Sequence, residues 1–549
     1  MGYQRFNTSK TKPLDIIIFI ANILAVITGI IYLLYGSDSI YWNIYGVYML
    51  MVLFCNAVYA FFDCKYDLKG YLYLGISILF MLLIPVFNLL VSLWPVHQSS
   101  RSMISCIAML LLYAFGGFLA AHNIFRKKTD VELLLAQIAA KYEPEPKIRK
   151  VMRISLILVL TLFMLIGLFI AYSILFSNNL WETQIFISAF ALFYVFLFLS
   201  AGLLVTKLLN KSKRTYVRIA YLLLTAVISI TCLAPIISLP VLIKEADISY
   251  RHAFGNEYKT LPDYKNPYFR KITFSIPEYF FGTVTRDYTV RQDILFYSGK
   301  KGIDKDLKLY FDVYSSSQDG DMLPGGNSVL IRIHGGGWKS GDKGLMNNAQ
   351  MNKYFASQGY VVFDIQYGLN GSDTAPSDNI SEQRYRNFTL DDIVRHINIF
   401  LKYLADNHEE FNANIDSVFI SGVSAGGNLA LSSGLTYTNN KLKINGIIPF
   451  YPANALAESM GVAGSEVLSD PALNVDELSP PCLIFQGTHD GLVNSAITEQ
   501  LLEEYQNSGN TECAIIYMLY GGHSSDIYFS GYYNQIFLYY MERFMFQYR

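Results

Sequence analysis

The sequence predicts two unlike halves: an α-helical membrane domain of about seven spans, then an α/β domain built on a mostly parallel sheet. Three observations carry this. With 52% hydrophobic and only 16% charged residues among 549, the chain is too apolar to be wholly soluble. Apolar stretches of about 20 residues, the length that crosses a hydrocarbon core as a helix, recur before residue 245. After residue 290, short β-branched runs alternate with helical periodicities, as in a parallel sheet covered on both faces. The divisions are 1–243 for the membrane domain, 244–290 for a linker and 291–549 for the α/β domain.

The spans fall at 15–35, 40–62, 71–94, 103–125, 154–176, 185–206 and 219–243. The first is too long, and too closely followed by others, for a cleaved signal peptide. Cationic residues sit in alternate loops. Arg5, Lys10 and Lys12 precede the first span, Lys65 and Lys69 follow the second, eight lysines and arginines fill 126–153, and Lys207 to Arg218 follow the sixth; the other loops hold only Arg101. Because cationic loops stay on the cytoplasmic side, the N-terminus is expected inside and everything after residue 243 outside. Within 126–153, residues 131–140 have the composition of a short helix on the cytoplasmic surface or of a plain hairpin. Inside the spans the polar exceptions are Asn22, Asn56, Asn88, His122 and Asn123, with essentially no ionisable group of the kind that marks an ion path. Coupled transport is not expected; a role in lipid access or partner docking stays open, since one span would serve as an anchor.

The net charge of -1 argues against a nucleic-acid partner. The six cysteines form no disulfide framework, and Cys482 and Cys513, each opening an apolar run, are expected as buried thiols on neighbouring strands. In the linker, Pro262, Pro267 and Pro277 break any long element, which reads as a stalk packed partly on the domain. A hairpin at 294–297 and 307–314 opens the α/β domain. Strands follow at 329–333, 361–365, 418–421, 444–450, 483–486 and 514–519, with helices at 347–358, 390–407, 428–435, 496–507 and 533–546.

Gly422-Val423-Ser424-Ala425-Gly426-Gly427 lies between a buried strand and a helix start. A serine that projects its hydroxyl from so sharp a turn needs neighbours without bulk, which makes Ser424 a nucleophile candidate. Serine chemistry also needs a base, an acid to orient it and N–H donors for the oxyanion. His523, after the last strand, is the candidate base, and Asp490, after the preceding one, the candidate acid; His489 is the rival base, and Asp364, Asp470 and Asp526 are rival acids. His334-Gly335-Gly336-Gly337-Trp338 follows the strand at 329–333. Its glycines Gly335, Gly336 and Gly337, with the amide of Ala425, are the oxyanion candidates, and His334 is expected to hold the loop. Neither P-loop nor G-x-G-x-x-G spacing follows, and the reading calls for no cofactor and no metal.

With these motifs in that order, residues 291–549 resemble the α/β-hydrolase family. Within it they resemble the H-G-G-G-W branch of hormone-sensitive-lipase-like carboxylesterases, kynurenine-formamidase-like enzymes and bacterial acetyl and feruloyl esterases. Asp312-Val313-Tyr314, Trp338-Lys339-Ser340-Gly341-Asp342-Lys343 and Ser424-Ala425-Gly426-Gly427 fit that branch; Val423 departs from the hormone-sensitive-lipase pattern, which usually has an acidic residue there, as does the stretch Asp490-Gly491-Leu492-Val493. The resemblance implies Ser424 as nucleophile, Asp490 as orienting acid, His523 as base, and Gly335 to Gly337 with Ala425 around the oxyanion.

The loops at 369–388 and 454–476 are too short for a large helical lid, which predicts an open site for small acyl groups on an alcohol such as a sugar. The expected function is a membrane-anchored serine carboxylesterase or deacetylase acting on an extracytoplasmic small-molecule, glycan or lipid ester, with membrane lipid as its other partner. The alternatives are a membrane-lipid hydrolase or acyltransferase using the same triad, an amidase or peptidase, and a non-catalytic sensing module.

Overall fold

Among the described residues, seven helices long and apolar enough to cross a membrane make up the N-terminal half of a computed structural model. The structure describes residues 12–36, 39–62, 68–94, 97, 99–125, 146–176, 184–209, 215–256, 266–344, 348–371, 384–438 and 441–549. The helices are α1 (Lys12–Tyr35), α2 (Tyr41–Phe62), α3 (Leu68–Ser92), α4 (Met103–Phe125), α5 (Lys147–Leu175), α6 (Ala191–Leu208) and α7 (Thr215–Ile237). They match the apolar stretches of the sequence. α5 begins seven residues earlier than its stretch because Lys147 to Arg153, though outside the apolar run, still favour helix. The stretch 131–140 lies outside the described residues.

α6 is the axis of the bundle. Phe193, Leu197, Ala201 and Val205 are buried on it, and α2, α3, α5 and α7 all pack against it. The outer face of α5 exposes Leu158, Val159 and Leu162, as a lipid-facing helix does. The buried amides are satisfied internally: Asn22 and Asn56 donate to each other at 2.8 and 2.7 Å. Asn88 donates to the carbonyl of Phe280 and the hydroxyl of Tyr528, both at 3.1 Å.

Residues 274–283 are lodged between the two halves, whereas Arg251, His252, Arg286 and Asp287 on either side are exposed. α8 (Leu239–Phe254) crosses the expected boundary at 243 without a break and lies on the last strand of the sheet, where Ser249 Oγ donates to the carbonyl of Ile515 at 2.8 Å. It covers an edge that would otherwise present unpaired backbone groups. α9 (Ile276–Phe281) starts at Ser275, whose Oγ accepts from the amide of Glu278, and docks on α2, where Asn43 bonds the backbone of Phe274 and Ile276 at 2.8 Å each.

The C-terminal half is an eight-stranded sheet: β1 (Tyr288–Ser298), β2 (Lys308–Ser316), β3 (Ser328–Ile333), β4 (Val361–Ile365), β5 (Asn414–Val423), β6 (Ile444–Phe450), β7 (Cys482–Gly487) and β8 (Cys513–Met518). The spatial order is β1-β2-β4-β3-β5-β6-β7-β8. β2 runs antiparallel to β1 and β4, and the remaining pairs are parallel. β3, β4 and β7 are buried along their whole length, which explains why they are mostly apolar, with Arg332, Asp364 and Gln486 among the buried polar exceptions. Cys482 and Cys513 face each other across β7 and β8 as buried free thiols, as expected. α11 (Leu390–Asn407), α12 (Ala425–Thr436) and α13 (Ser495–Asn507) cover one face; α10 (Asn348–Ser357) and α14 (Tyr532–Tyr548) cover the other.

The core under α10 and α14 is continuous with the core of the helical bundle. Aromatic rings join them: Phe193 of α6 stacks on Tyr279 of α9 at 4.8 Å, and both pack on Tyr528, at 5.8 and 5.4 Å. A chain shortened to residues 247–549 would lay this aromatic face bare. It is expected to aggregate or elute as a heterogeneous, dye-binding species in size-exclusion chromatography; a monodisperse peak with a sharp unfolding transition would contradict the shared core.

Candidate active site

Ser424 follows the end of β5 and precedes the first residue of α12, with φ 55° and ψ -120°. A non-glycine residue held there stores strain, and the surroundings dictate it. Its amide donates to the carbonyl of Phe450 on the neighbouring strand at 2.9 Å, and its carbonyl accepts from Gly427 and Asn428 in the first turn of α12. Gly426 closes the turn against β3: a Cβ there would sit 2.3 Å from the carbonyl oxygen of Ile333 and 2.5 Å from that of His334.

His523 and Asp490, from the loops after β8 and β7, meet Ser424. His523 Nε2 is 2.9 Å from Ser424 Oγ, and His523 Nδ1 is 2.9 Å from Asp490 Oδ2. With Nδ1–H donating to the carboxylate, Nε2 is left to accept the serine proton. Asp490 Oδ1 accepts from the amides of Leu492 and Val493 at 2.9 and 2.8 Å, so its own loop orients the acid. All three side chains are buried.

Gly335, Gly336 and Gly337 run beside the serine, Gly336 and Gly337 at φ 118° and 61°, values that side chains rarely adopt. No carbonyl among the described residues accepts from the amides of Gly336, Gly337 or Ala425. His334 holds this loop: its ring stacks on Tyr367 at 4.2 Å and its Nδ1 donates to the carbonyl of Gly335 at 2.9 Å. Burial, together with the Arg384 charge, pushes its pKa down to about 4, so it is neutral.

Of the rival residues, Asp470 and Asp364 lie away from the relay, and Asp526 lines the cavity beside it. The His489 ring lies against Thr488 and the last carbonyls of α5, and burial lowers its pKa. Asp470 caps the turn at Pro471 and bonds Gln500. Asp364 ties the end of β4 to the amide of Gly344 and to Asn352 of α10, at 2.7 and 2.8 Å. Asp526 accepts from Tyr451 Oη, and the Tyr451 ring packs on the His523 imidazole at 4.7 Å.

A cavity of about 460 Å³ opens over Ser424 and His523. Val423, Met460, Leu492 and Ile527 form an apolar wall, and Asn348, Ser524 and Asp526 a polar end. Of the specificity loops, 454–476 reaches it through Met460, while 372–383 of the other lies outside the described residues. Behind the polar end, the buried Arg332 guanidinium donates to Ser421 Oγ at 2.6 Å and to Asn348 Oδ1 at 2.9 Å. An arginine can only donate, so the Asn348 amide is fixed with its NH₂ turned away from Arg332. Tyr451, Asn348 and Arg332 were not legible in the sequence, because their partners lie on other strands. Among the described residues no group of three His, Cys, Asp or Glu side chains is placed to hold a metal.

A serine at a strained strand-to-helix turn, bonded to a histidine that is bonded to an acid, on a sheet of this order, is the layout of a serine hydrolase with the α/β-hydrolase fold. Residues 311–460 match the BD-FAE family model, so the C-terminal half contains an esterase-like α/β-hydrolase segment. No curated protein matches the chain. Among solved structures, esterase B from Lactobacillus rhamnosis is 18% identical over 44% of this chain and 80% of its own, with a TM-score of 0.34. Native esterase 2 from Thermogutta terrifontis is 20% identical over 47% of this chain and 89% of its own, with a TM-score of 0.36.

Two outcomes are expected. Gly426→Ala forces the turn apart and is expected to cost about 1–3 kcal/mol of stability in thermal or denaturant unfolding, as overpacked core sites do, with loss of reactivity at Ser424. For Asp364, burial raises the carboxyl from 3.8 to about 7, so it stabilises the fold fully below its unfolded pKa and that contribution is lost as pH rises through about 7. Asp364→Asn, uncharged throughout, should therefore lose less Tm than the wild type between about pH 5 and pH 8.

Proposed function

We propose that the chain is a membrane-anchored serine carboxylesterase that removes an acyl group from an ester on the outer side of the membrane, through an acyl-enzyme on Ser424. The observation that carries this is the relay of two 2.9 Å contacts from Ser424 through His523 to Asp490, beside three unclaimed amides. Ser424 Oγ attacks the ester carbonyl as His523 Nε2 takes its proton. The oxyanion forms against the amides of the glycine loop and Ala425, and Asp490 stabilises the imidazolium. Collapse breaks the ester C–O bond, His523 returns the proton to the departing alcohol, and water then releases the acid by the same steps in reverse order.

The outward placement rests on the cationic loops. Arg149, Arg153 and Lys207 lie at the helix ends remote from the α/β domain, whereas the turn at the start of α6 touches the loops of Asp490 and His523. That supports a cytoplasmic N-terminus and an external catalytic domain.

The cavity favours a small acyl group on a hydroxylated alcohol. Its apolar wall takes the acyl chain, and the Asn348 NH₂ with the Asp526 carboxylate offers one donor and one acceptor to a hydroxyl. A second reading, hydrolysis or transfer of a lipid acyl group, is favoured by the seating of the acid and base loops on the ends of α5 and α6, close to where a bilayer surface would lie.

Ser424→Ala in the full-length protein is expected to lower turnover of 4-nitrophenyl acetate by at least about 10³-fold, and Asp490→Asn by about 10⁴-fold. Turnover equal in wild type and Ser424→Ala would refute the esterase reading. Asn348→Ala is expected to lower kcat/KM for an acetylated sugar about tenfold while leaving 4-nitrophenyl acetate within about twofold, as one lost hydrogen bond implies. Preference for a vesicle-embedded diacylglycerol over both esters would decide for the lipid reading.

A further inference from the structure

Two catalytic loops, one after β7 and one after β8, converge on a single turn of the helical half. That turn, residues 184–190, enters α6. Gln184 is buried, and its Oε1 accepts from the amide of Gly491 at 3.0 Å, the residue immediately after Asp490. Four residues on, Ser188 Oγ donates to the carbonyl of Tyr520, three residues before His523. The Ser188 carbonyl in turn accepts from Tyr532 Oη at the start of α14. The fit is close: a Cβ on Gly522, beside His523, would come within 2.6 Å of Gln184 Cβ. The two loops are also tied to each other, His489 N donating to the carbonyl of Gly521 at 2.8 Å and Tyr520 N to Thr488 Oγ1 at 2.9 Å.

Within the α/β domain, Asp490 is oriented by Leu492 and Val493, and among the described residues no group of its own sheet accepts from the Gly491 amide. That donor is satisfied by a side chain 307 residues away in sequence, from the half that would otherwise serve only as an anchor.

We infer that the turn at the head of α6 is part of the catalytic apparatus: Gln184 is a positioning residue that sets the Asp490 and His523 loops, so hydrolysis depends on the helical half being in place. Gln184 is not among the residues lining the cavity over Ser424. It acts through Gly491, by keeping the acid within 2.9 Å of the His523 imidazole. The consequence is that a shift of α5 against α6 reaches the relay directly, because the loops have no slack between them and the turn.

The inference rests on Ser424 being the nucleophile, and the experiment separates the two. The full-length protein in detergent and in phosphatidylcholine vesicles is titrated with a fluorophosphonate to count reactive serines, and kcat and KM for 4-nitrophenyl acetate are measured per titrated site. Gln184→Met keeps the volume but removes the acceptor. It is expected to titrate fully, to keep KM within about twofold and to lose about 10- to 100-fold in kcat, as small displacements of catalytic groups do. Asn43→Ala, which removes two hydrogen bonds across the same junction but none to either catalytic loop, is expected to keep wild-type kcat per titrated site. A merely structural role for Gln184 would instead lower the titrated fraction with kcat per site unchanged, and that outcome overturns the inference. So does a kcat for Gln184→Met within twofold of wild type, or an equal loss in Asn43→Ala. A wild type that does not titrate at all refutes the nucleophile assignment and the coupling with it.

Discussion

The approach of Gly426 to the end of β3 is the contact on which the site depends. Its Cα lies so near the carbonyls of Ile333 and His334 that no side chain fits between. That contact brings the turn carrying Ser424 and the loop carrying Gly335 to Gly337 to the same sheet edge, one strand apart. The strain at Ser424, with φ at 55°, is held by hydrogen bonds to β6 and to the first turn of α12. A serine in relaxed geometry would point elsewhere, and the unclaimed amides would then face an empty cavity.

A second constraint runs the other way, from the helical half into the site. The face of the sheet under α14 is not closed by the α/β domain alone; rings from α6 and α9 complete it. Because this core is continuous, the ends of α3, α5 and α6 stand directly beneath the loops after β7 and β8. Buried polar groups at the junction then had to find partners across it. Asn88 meets Tyr528, Ser100 meets Ser530 at 2.9 Å, and the Lys353 ammonium donates to the carbonyls of Trp94 and His97 at 2.6 and 2.7 Å. Burial lowers the Lys353 pKa to about 8, and bonds to carbonyl oxygens are what keep such a group tolerable there.

Buried charge also shapes the cavity. Arg332 lies inside the sheet in ion-pair contact with no carboxylate among the described residues, though the Asp364 and Asp526 charges act on it, and is held by Ser421, Asn348 and the face of Phe450 at 5.5 Å. A buried arginine is costly unless its donors are used. Here the donors fix Asn348 at the polar end of the cavity, so a residue of the core sets the polarity of the site.

What the sequence alone determined is whatever depends on local chemistry. Span length, cationic loops and alternating periodicities depend only on neighbouring residues, and so do the glycines around Ser424 and after His334; these made the seven helices, the order of strands and helices, and the placing of Ser424, Asp490 and His523 at strand ends legible. The tertiary structure decided what depends on distant pairs. That residues 274–283 are wedged between the halves, that Asn348 is turned by Arg332, and that Gln184 reaches Gly491 could not be read, because each is a contact between segments whose local patterns carry no information about one another. The physical reason is that hydrophobic periodicity specifies which face is buried, whereas the partner that buries it, and the hydrogen bonds that follow, are chosen only when the chain closes on itself.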